Sequence, residues 1–343
     1  MKKSFVLLMF ALLVLALAAC EVPNPVNPGG LAENPASDFQ YEISPDGKSV
    51  YINKYIGTSE DVVIPSKIDD LPVTTLRGIP YGEEPYIGLL EGAFENCPIK
   101  TVVIPATVEI ISNDAFKNCS ELTSVTISEN SQLGGYLWWG AFQDCKKLEK
   151  IDLSFTKITK IDSFAFAGCT ALTEIRLPDS LLEIGSCAFS ECSALLEIEL
   201  PKNLMKIEGE AFGYCSSLKK ITVPAQLDLR AVDSAIFHNT PSLEKIIFEE
   251  GREELSGYSF FGIPAEANVE IEVPKSVKRF SLSPFSVSGK VKFVFLGDCP
   301  ELVKGSGGSQ GYYKELPTMC YDASRNGWDT CEWIKQFPHE PVK

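Results

Sequence analysis

Residues Leu172–Cys192 read LTEIRLPDSLLEIGSCAFSEC, and this stretch shows in full a unit that recurs along the chain. Its most distinctive part is the motif Ala-Phe-x-x-Cys at Ala188–Cys192. The motif occurs six times, at positions 93–97, 115–119, 141–145, 165–169, 188–192 and 211–215. Successive cysteines of the motif are 22, 26, 24, 23 and 23 residues apart. Self-similarity at such a period predicts a repeat solenoid, in which each unit stacks on its neighbours.

Each part of the unit has a physical role in a stacked coil. Apolar and polar residues alternate in Leu172–Leu177, which predicts a short strand with Ile175 turned inward. Pro178 ends this strand because proline cannot donate a ladder hydrogen bond. The Ala-Phe-x-x-Cys segment predicts a single helical turn, in which Ala permits close approach, Phe fills the interior and Cys is a small buried residue. An aliphatic residue, here Ile184, stands four residues before each Ala-Phe pair.

The period continues more weakly on both sides of the six clear units. Val62–Pro65 forms a half-unit before them, and Phe237, Phe261 and Phe285 mark further units after them. Because one coil cannot bury its own apolar face, these units predict one continuous core. The expected fold class is a repeat solenoid of the leucine-rich-repeat type, β-rich with short helical turns and with a parallel β-sheet along one face.

These residues resemble the BspA-like class of bacterial leucine-rich repeats, whose unit is similar to LxxVxIPxxVxxIGxxAFxxCxx. The resemblance covers Val62 to Leu296, about two thirds of the chain, and nearly every signature position matches in Leu172–Cys192. It implies a surface-exposed or secreted protein of the kind found in anaerobic bacteria and spirochaetes. Several members of the class are similar in acting as adhesins for host matrix proteins or other cells, which implies binding without naming a ligand.

The beginning of the chain predicts export and lipid attachment. Lysines at positions 2 and 3 precede an uncharged apolar run over residues 5–18, which is the layout of a secretory signal. A run of ~14 residues is shorter than the ~20 that a membrane-spanning helix needs. The sequence LAAC at residues 17–20 resembles the lipobox of bacterial lipoproteins, which implies a lipid on Cys20. The alternative is an ordinary signal cleaved near Ala19, with Cys20 as a stray thiol.

The chain divides into five expected regions. They are a lipoprotein signal peptide (1–19), a Pro/Asn/Gly-rich tether (20–38), an N-terminal β-hairpin cap (39–58), the solenoid (59–298) and a C-terminal aromatic, cysteine-bearing cap (299–343). The turn Ser44–Lys48 between two alternating runs predicts the hairpin. Removal of residues 1–19 takes away two of 31 basic residues and none of 46 acidic ones, which leaves a net charge of −17. So acidic a chain is not expected to bind nucleic acid, or to bind a membrane except through its lipid.

No set of residues suited to catalysis or metal binding stands out. The chain has two histidines, His238 and His339, and neither a Cys-x-x-Cys pair nor a calcium loop of the Asp-x-Asp-x-Asp-Gly type. Gly307–Gly311 matches Gly-x-Ser-x-Gly, but it lies in a glycine linker without the preceding apolar strand of a nucleophile elbow. We therefore expect a protein that is not an enzyme, with no catalytic residues, no metal site and no cofactor.

The cysteines fall into two groups. The repeat position that holds six of them also accepts Thr240 and Pro264, which indicates selection for small size and predicts buried free thiols. Cys187 is an additional cysteine and is expected outside this column. Cys320 and Cys331 would close a short loop in the C-terminal cap, so they are the predicted disulfide.

The outward positions of the strands form the predicted binding face. If Ile175 points inward, Glu174 and Arg176 point outward. The same columns across the units give the predicted face: Lys150, Asp152, Glu174, Arg176, Glu197, Glu199, Lys220, Lys245, Glu270 and Glu272. Because neighbouring strands lie ~4.8 Å apart, Lys150 is expected to pair with Glu174. A ligand face and a solvated sheet that only keeps the protein soluble are both compatible with this pattern.

Aromatic residues suggest a second candidate site. Trp138, Trp139, Trp328 and Trp333 are the candidates for an aromatic ligand patch. The last two belong to the C-terminal segment, which is either a cap for the last coil or a platform for sugars. We expect a lipid-anchored protein of the cell envelope, at the outer membrane or cell surface, that binds a protein of the host matrix or the bacterial envelope. A periplasmic scaffold and a carbohydrate-binding C-terminal segment are the alternatives.

Overall fold

A computed structural model describes residues 32–81, 88–228, 235–255, 267–281, 290–303 and 316–342. The predicted signal peptide, Cys20 and most of the tether lie outside these ranges, as do Gly307–Gly311 and the repeat positions 261, 264 and 285. From Glu33 onward the chain is one compact unit, a β-solenoid of about 10 turns. A helix long and apolar enough to cross a membrane does not occur in the described ranges.

The strands are short and follow one another at the repeat period. In the first half they are β1 (Phe39–Ile43), β2 (Val50–Tyr55), β3 (Asp61–Val63), β4 (Lys67–Ile68), β5 (Leu71–Leu76), β6 (Ile79–Tyr81), β7 (Gly88–Glu91), β8 (Thr101–Ile104), β9 (Ile110–Ile111), β10 (Ser124–Ile127), β11 (Gly134–Leu137), β12 (Lys150–Asp152) and β13 (Lys157–Ile161). In the second half they are β14 (Glu174–Arg176), β15 (Glu183–Ile184), β16 (Glu197–Glu199), β17 (Lys206–Ile207), β18 (Lys220–Val223), β19 (Lys245–Phe248), β20 (Glu254–Leu255), β21 (Asn268–Val273), β22 (Arg279–Phe280), β23 (Lys290–Phe295), β24 (Glu301–Leu302), β25 (Thr318–Asp322) and β26 (His339–Val342).

Each regular coil contributes two parallel strands, so the solenoid has more than the one predicted sheet. The strands that follow the Cys motif form two sheets, in the orders β14-β12-β10-β8-β3 and β16-β18-β19-β21-β23-β25-β26. The aliphatic residues before Ala-Phe in the later five units lie on a second set of strands, β9, β11, β13, β15 and β17, which continue another sheet in the order β1-β2-β5-β9-β11-β13-β15-β17. Leu89 of the first unit lies on β7, which pairs antiparallel with β6. Ile111, Ile161 and Ile184 of this second set of strands are fully buried. The predicted solenoid is confirmed, with parallel strands on a second face.

The repeat phenylalanines form a stacked column through the core. Phe94, Phe116, Phe142, Phe166, Phe189 and Phe212 are each 0% exposed. Successive rings of this set lie 4.9–5.4 Å apart between centroids, with their planes within 14° of parallel. The predicted contacts of Phe189 with Phe166 and Phe212 are confirmed, at 5.4 Å each. Backbone bonds hold the coils in this register, as when Phe189 N–H donates to Ala211 O at 2.8 Å.

The Ala-Phe-x-x-Cys segment is not the predicted helical turn. Cys187 and Glu191 in the quoted unit have φ values of 55° and 63°, and the equivalent residues of other coils are also left-handed. A left-handed residue breaks a right-handed helical path. The segment is instead a pair of turns, closed by bonds from Ser190 N–H to Cys187 O and from Cys192 N–H to Phe189 O. In the described residues, helix is limited to the 3-10 turns Ala36–Asp38 and Ile334–Gln336.

We expect Cys187→Gly to stabilise the protein. A left-handed non-glycine residue costs roughly 1–2 kcal/mol, and the added freedom of glycine in the unfolded chain offsets about 0.5–1 kcal/mol of that gain. Gly140 already occupies the equivalent position of another coil, with φ 61°. The free energy of unfolding, measured by urea titration, should therefore rise by about 0.5–1 kcal/mol. Cys187→Ala keeps a Cβ atom at this φ and is the control; an equal gain for alanine would contradict the explanation.

The two ends of the solenoid are covered by segments that continue its sheets. At the N-terminal end, β1 and β2 pair antiparallel, and the ring of Tyr55 on β2 stacks on Phe94 at 5.4 Å. At the C-terminal end, β25 and β26 extend the long sheet in parallel. Trp328 is 4% exposed, and its Nε1–H donates to Gly297 O at 3.0 Å. Both segments thus shield terminal coils, while the limits 39–58 and 299–343 of the caps stay predictions.

The predicted disulfide between Cys320 and Cys331 is wrong. Cys331 is bonded to Cys299, with 6.6 Å between the Cα atoms. The free Cys320 thiol is buried on β25. Two indole hydrogen bonds, from Trp328 Nε1 to Gly297 O and from Trp333 Nε1 to Pro300 O, hold the segment around Cys331 against the residues that flank Cys299.

Candidate binding face

The outward strand positions lie on the solvent side, as the alternation predicted. Ile151, Ile175 and Ile198 are buried at the centres of β12, β14 and β16, and the residues on either side of each are not. None of the ten predicted face residues is buried. The face is carried by short strands of two hydrogen-bonded sheets, so its side chains start from a rigid backbone. The inside-outside assignment is therefore confirmed, and a ligand-binding role for these residues stays a prediction.

Ion pairs neutralise parts of this face. The predicted pair of Lys150 and Glu174 is present, at 2.9 Å between Nζ and Oε2. It lowers the pKa of the Glu174 carboxyl, since the ammonium donates a hydrogen bond to it. Lys245 lies 3.1 Å from Glu270 and 2.8 Å from Glu272, which raises the pKa of Lys245. Such exposed pairs add little to stability. They also neutralise the charges of the paired residues, so that these residues offer little net charge to a ligand.

The middle of the face differs, because β16 carries uncompensated acid. Glu197 and Glu199 are exposed, and within the described ranges neither has a basic group within 4 Å. Lys220 stands opposite Glu197 in the register of β16 and β18 without forming an ion pair with it. Glu249, just beyond β19, also has no ion pair among these residues. The centre of the face thus carries acidic charge that no basic side chain of the described residues neutralises.

A cleft of about 1320 Å³ opens at this acidic centre. Its walls are the residues of and around β14 and β16, from Thr173 to Leu177 and from Leu196 to Asn203. Glu249 and Thr222 line one side of it. Sequence reasoning missed this cleft, because the repeat units on both sides of it match the repeat pattern equally well.

The four tryptophans do not form one patch. Trp138 and Trp139 are 38% and 39% exposed, and they contact Tyr136 and Phe164 respectively, each at 5.5 Å between ring centroids. Trp328 and Trp333, by contrast, pack on Phe295 at 5.3 and 6.0 Å in the C-terminal core. The prediction of a shared aromatic patch is wrong because the cap uses both of its indole N–H groups to bind the last coils.

The repeat cysteines have a role that the sequence did not reveal. Each buried thiol donates to the carbonyl of the phenylalanine in the preceding coil, at 3.0–3.3 Å from Sγ to O. The hydroxyl of Thr240, which replaces cysteine in a later unit, donates to Phe237 O at 3.0 Å. In these five coils the thiol is therefore a hydrogen-bond donor as well as a small side chain.

We expect the buried thiols to resist alkylation until the protein unfolds. Burial raises the pKa of Cys215 to about 12 and also raises those of Cys169 and Cys192 above the usual 9.0. Iodoacetamide at pH 9 should label them slowly in the native protein and rapidly in denaturant. Cys187, which is partly exposed, should react first among these thiols in the native protein. Rapid native labelling of Cys169 or Cys192 would contradict the inward assignment.

The same burial gives stability a pH dependence. Thiols whose folded pKa is raised contribute stability that is present below their unfolded pKa of about 9 and is lost as the pH rises towards the folded pKa. The urea midpoint should therefore fall between pH 9 and pH 11. Cys169→Ala should reduce this fall, whereas Cys20→Ala, changed in the expected tether, should not. An identical fall in both variants would show that other groups cause it.

The two histidines make ordinary structural contacts. His238 packs edge-on against Tyr214, at 5.2 Å between ring centroids. His339 Nδ1 lies 2.9 Å from Phe337 O. In the part of the chain that the structure describes, no three His, Cys, Asp or Glu side chains are grouped to hold a metal ion.

Comparison with known proteins identifies the repeat. A family model described as the BspA type leucine rich repeat region matches residues 88–154 and 137–266, in six copies. Among solved structures, the leucine-rich-repeat protein of T. pallidum is 26% identical, covers 63% of this chain and 86% of its own length, and has a TM-score of 0.42. The pneumococcal vaccine antigen PcpA is 18% identical over 84% of this chain and 81% of its own, with a TM-score of 0.46. No curated protein matches the chain significantly.

Proposed function

Because this chain belongs to the BspA-type leucine-rich-repeat family, whose repeats span residues 88–266, we propose that it is a non-enzymatic surface protein that binds a protein partner. Proteins with leucine-rich repeats generally bind other proteins. The observation that carries the proposal is the outward face, where charged side chains project from the short strands of two hydrogen-bonded sheets. A rigid face of this kind loses little conformational entropy on binding. The family points to an adhesin-like role, with a partner in the host matrix or in the bacterial envelope.

The binding face can be tested by charge reversal. We expect Glu270→Lys combined with Glu272→Lys, on the same face but outside its acidic centre, to weaken binding to immobilised extracellular-matrix proteins at least tenfold, because cationic groups of the partner would then meet like charges. Glu109→Lys combined with Glu129→Lys changes the net charge by the same amount at exposed positions elsewhere and should bind as the unchanged protein does. Equal losses in both variants would argue against the face, and absence of binding by the unchanged protein would argue against a matrix partner.

We also propose that the protein is held at the envelope by a lipid on Cys20. The support is the lipobox-like LAAC at residues 17–20 and the proline-rich segment that follows it. As a flexible chain that segment would span on the order of 25 Å, enough to lift the solenoid off a membrane. The outer membrane or cell surface is the location that suits an adhesin-like face. Protease treatment of intact cells should degrade the solenoid, and complete protection would favour a periplasmic scaffold instead.

Cys20→Ser should abolish lipid attachment. The sulfur of Cys20 is the proposed acceptor, and serine does not offer a thiol. Cells grown with a labelled fatty acid should mark the unchanged protein and leave Cys20→Ser unmarked. Cys187→Ser, a partly exposed cysteine of the solenoid, is the matched control and should be labelled normally. Equal labelling of Cys20→Ser and the unchanged protein would show that the anchor is elsewhere or absent.

The C-terminal segment is better explained as a cap than as a carbohydrate module. Trp328 is almost fully buried, and the N–H groups of both Trp328 and Trp333 already donate to backbone carbonyls. A sugar platform requires exposed ring faces, and the Trp328 ring is stacked on Tyr321 at 4.7 Å. Capping is therefore the role that we propose for residues 299–343.

A further inference from the structure

One backbone hydrogen bond is missing from a regular series along the outward face. At an equivalent position in successive coils, a backbone N–H donates to a backbone carbonyl of the coil before it. The bonds present run from Thr123 to Lys100, Glu149 to Thr123, Thr173 to Glu149, Lys219 to Leu196, Glu244 to Lys219 and Glu270 to Glu244. The same series requires a bond from Leu196 N–H to Thr173 O, and the structure does not contain it. Consequently β14 and β16 are the edge strands of two separate sheets, although they belong to consecutive coils.

The interruption is confined to the outward face. On the second set of strands in the same coils, Lys160 of β13, Glu183 of β15 and Lys206 of β17 are in unbroken parallel register. In the core, Phe166 and Phe189 stack at 5.4 Å, the same separation as the next pair along. The coils are therefore closed at the core and open only at the surface, where the cleft of about 1320 Å³ lies.

The walls of the cleft are suited to a polypeptide. Unpaired edges of strands are a common means of recognising an extended peptide, because they offer both backbone donors and acceptors. Here Thr173 O and Leu196 N–H are the free pair, and the Leu196 side chain beside them is 51% exposed. Cα atoms of β14 and β16 approach within 8 Å, less than the roughly 9.6 Å that an inserted strand requires. A peptide must therefore lie along the cleft, over the gap between the strands.

The charges of the cleft favour a positively charged ligand. Its acidic side chains are Glu174, Asp179, Glu197, Glu199 and Glu249, and its basic ones are Arg176 and Lys202. Arg176 is already engaged with Asp152 and Glu174, at 3.6 and 3.3 Å. Glu197 and Glu199 have no ion-pair partner in the described ranges. Since the whole chain has a net charge of −15, a second copy of it is a poor occupant for an acidic cleft.

We propose that the cleft between β14 and β16 binds an extended, basic segment of a protein partner. Lysine or arginine side chains of the segment bind Glu197 and Glu199, and its peptide groups bind Thr173 O and Leu196 N–H. The proposal rests on the proposed binding function of the outward face and names the chemistry of the partner there. A volume above the 300–1000 Å³ of ordinary small-molecule pockets fits several residues of chain.

The test uses the mature protein and a fluorescein-labelled peptide of alternating lysine and valine, nine residues long, followed by fluorescence anisotropy. We expect the unchanged protein to bind this peptide and Glu197→Lys/Glu199→Lys to bind it at least tenfold more weakly. Glu109→Lys/Glu129→Lys, two exposed glutamates outside the cleft, is the control for net charge and should bind within twofold of the unchanged protein. The same peptide with N-methylated valines should bind several-fold more weakly, because it lacks half of its main-chain donors.

Several results would overturn the proposal. They are no binding by the unchanged protein, an equal loss in the control variant, or full affinity for the N-methylated peptide, which would reduce the interaction to charge attraction alone. The surface function is judged separately, by the matrix-binding and protease experiments. If neither the unchanged protein nor the variants bind the peptide, while Glu197→Lys/Glu199→Lys still binds matrix proteins, the cleft proposal fails and the surface function stands. If the peptide is bound but the solenoid is inaccessible on intact cells, the cleft stands and the surface function fails.

Discussion

Replacement of Phe189 by alanine is expected to lower the free energy of unfolding by ~3–5 kcal/mol. Phe189 is fully buried, and its ring stacks on Phe166 and on Phe212 at 5.4 Å each. Alanine would leave a cavity between two coils. The flanking turns cannot readily collapse into it, because backbone bonds from Phe166 N–H to Ala188 O and from Phe189 N–H to Ala211 O hold the coil spacing. Urea titration followed by tryptophan fluorescence measures the loss.

The location of the damage is part of the same expectation. In a solenoid each coil contacts only its neighbours, so the loss of Phe189 weakens two interfaces in the middle of the stack. Hydrogen exchange should show amides of the coils around Phe166 and Phe212 opening together, ahead of those near Phe94. Glu174→Ala, at an outward side chain that is 43% exposed, is the control and should leave the urea midpoint nearly unchanged. If Glu174→Ala were the more damaging, the inside-outside assignment of the repeat would be wrong.

Loss of the Cys299–Cys331 disulfide is the second large effect that we expect. Closure of a loop with a sequence separation of 32 is worth roughly 3–4 kcal/mol in the chain-entropy account of disulfides. Cys331→Ser should therefore destabilise the C-terminal cap by about that amount. The effect should stay near the end of the solenoid, unlike that of Phe189→Ala, because distant coils do not contact the cap. Limited proteolysis should cleave the variant near residues 299–343 first.

The pairing itself distinguishes this disulfide from the one that sequence spacing suggested. Cys299→Ser, Cys331→Ser and the double variant should have the same urea midpoint, since each removes the same bond. Cys320→Ser should change it far less, because the Cys320 thiol is free. Peptide mapping without reduction should recover residues 299 and 331 in one linked species. A linked species of residues 320 and 331 would show that the pairing described here is incorrect.

The repeat pattern was sufficient to predict the core, for a physical reason. A side chain points inward or outward according to its place in a short period, and that period is visible in a single unit. Ile175 inside with Glu174 and Arg176 outside followed from one strand, and identical units then placed Phe189 between Phe166 and Phe212. The lipobox-like end of the signal and the family resemblance likewise depend on contiguous residues.

The conformation of the Ala-Phe-x-x-Cys turns could not be predicted from the repeat pattern. The same Ala-Phe-x-x-Cys motif is compatible with one helical turn or with two tight turns, and the choice depends on backbone bonds between coils. Asp114, Phe164, Cys187 and Glu210 occupy one left-handed position with unrelated side chains, so composition gives no signal there. The donor role of the cysteines was hidden for a similar reason, because their acceptor is a backbone carbonyl of the preceding coil.

The sequence by itself determined the solenoid, its stacked phenylalanine core and the charged outward columns, because these are repeated local patterns. Only the tertiary structure decided which cysteine pairs with Cys331, where the tryptophans pack, and that the sheet is open between β14 and β16. Those outcomes depend on contacts between segments that are distant in the chain or in different coils. The units on either side of the cleft obey the same pattern, and a missing bond from Leu196 N–H to Thr173 O changes no residue type. The geometry of stacking therefore separates the proposed peptide site from the rest of a repetitive face.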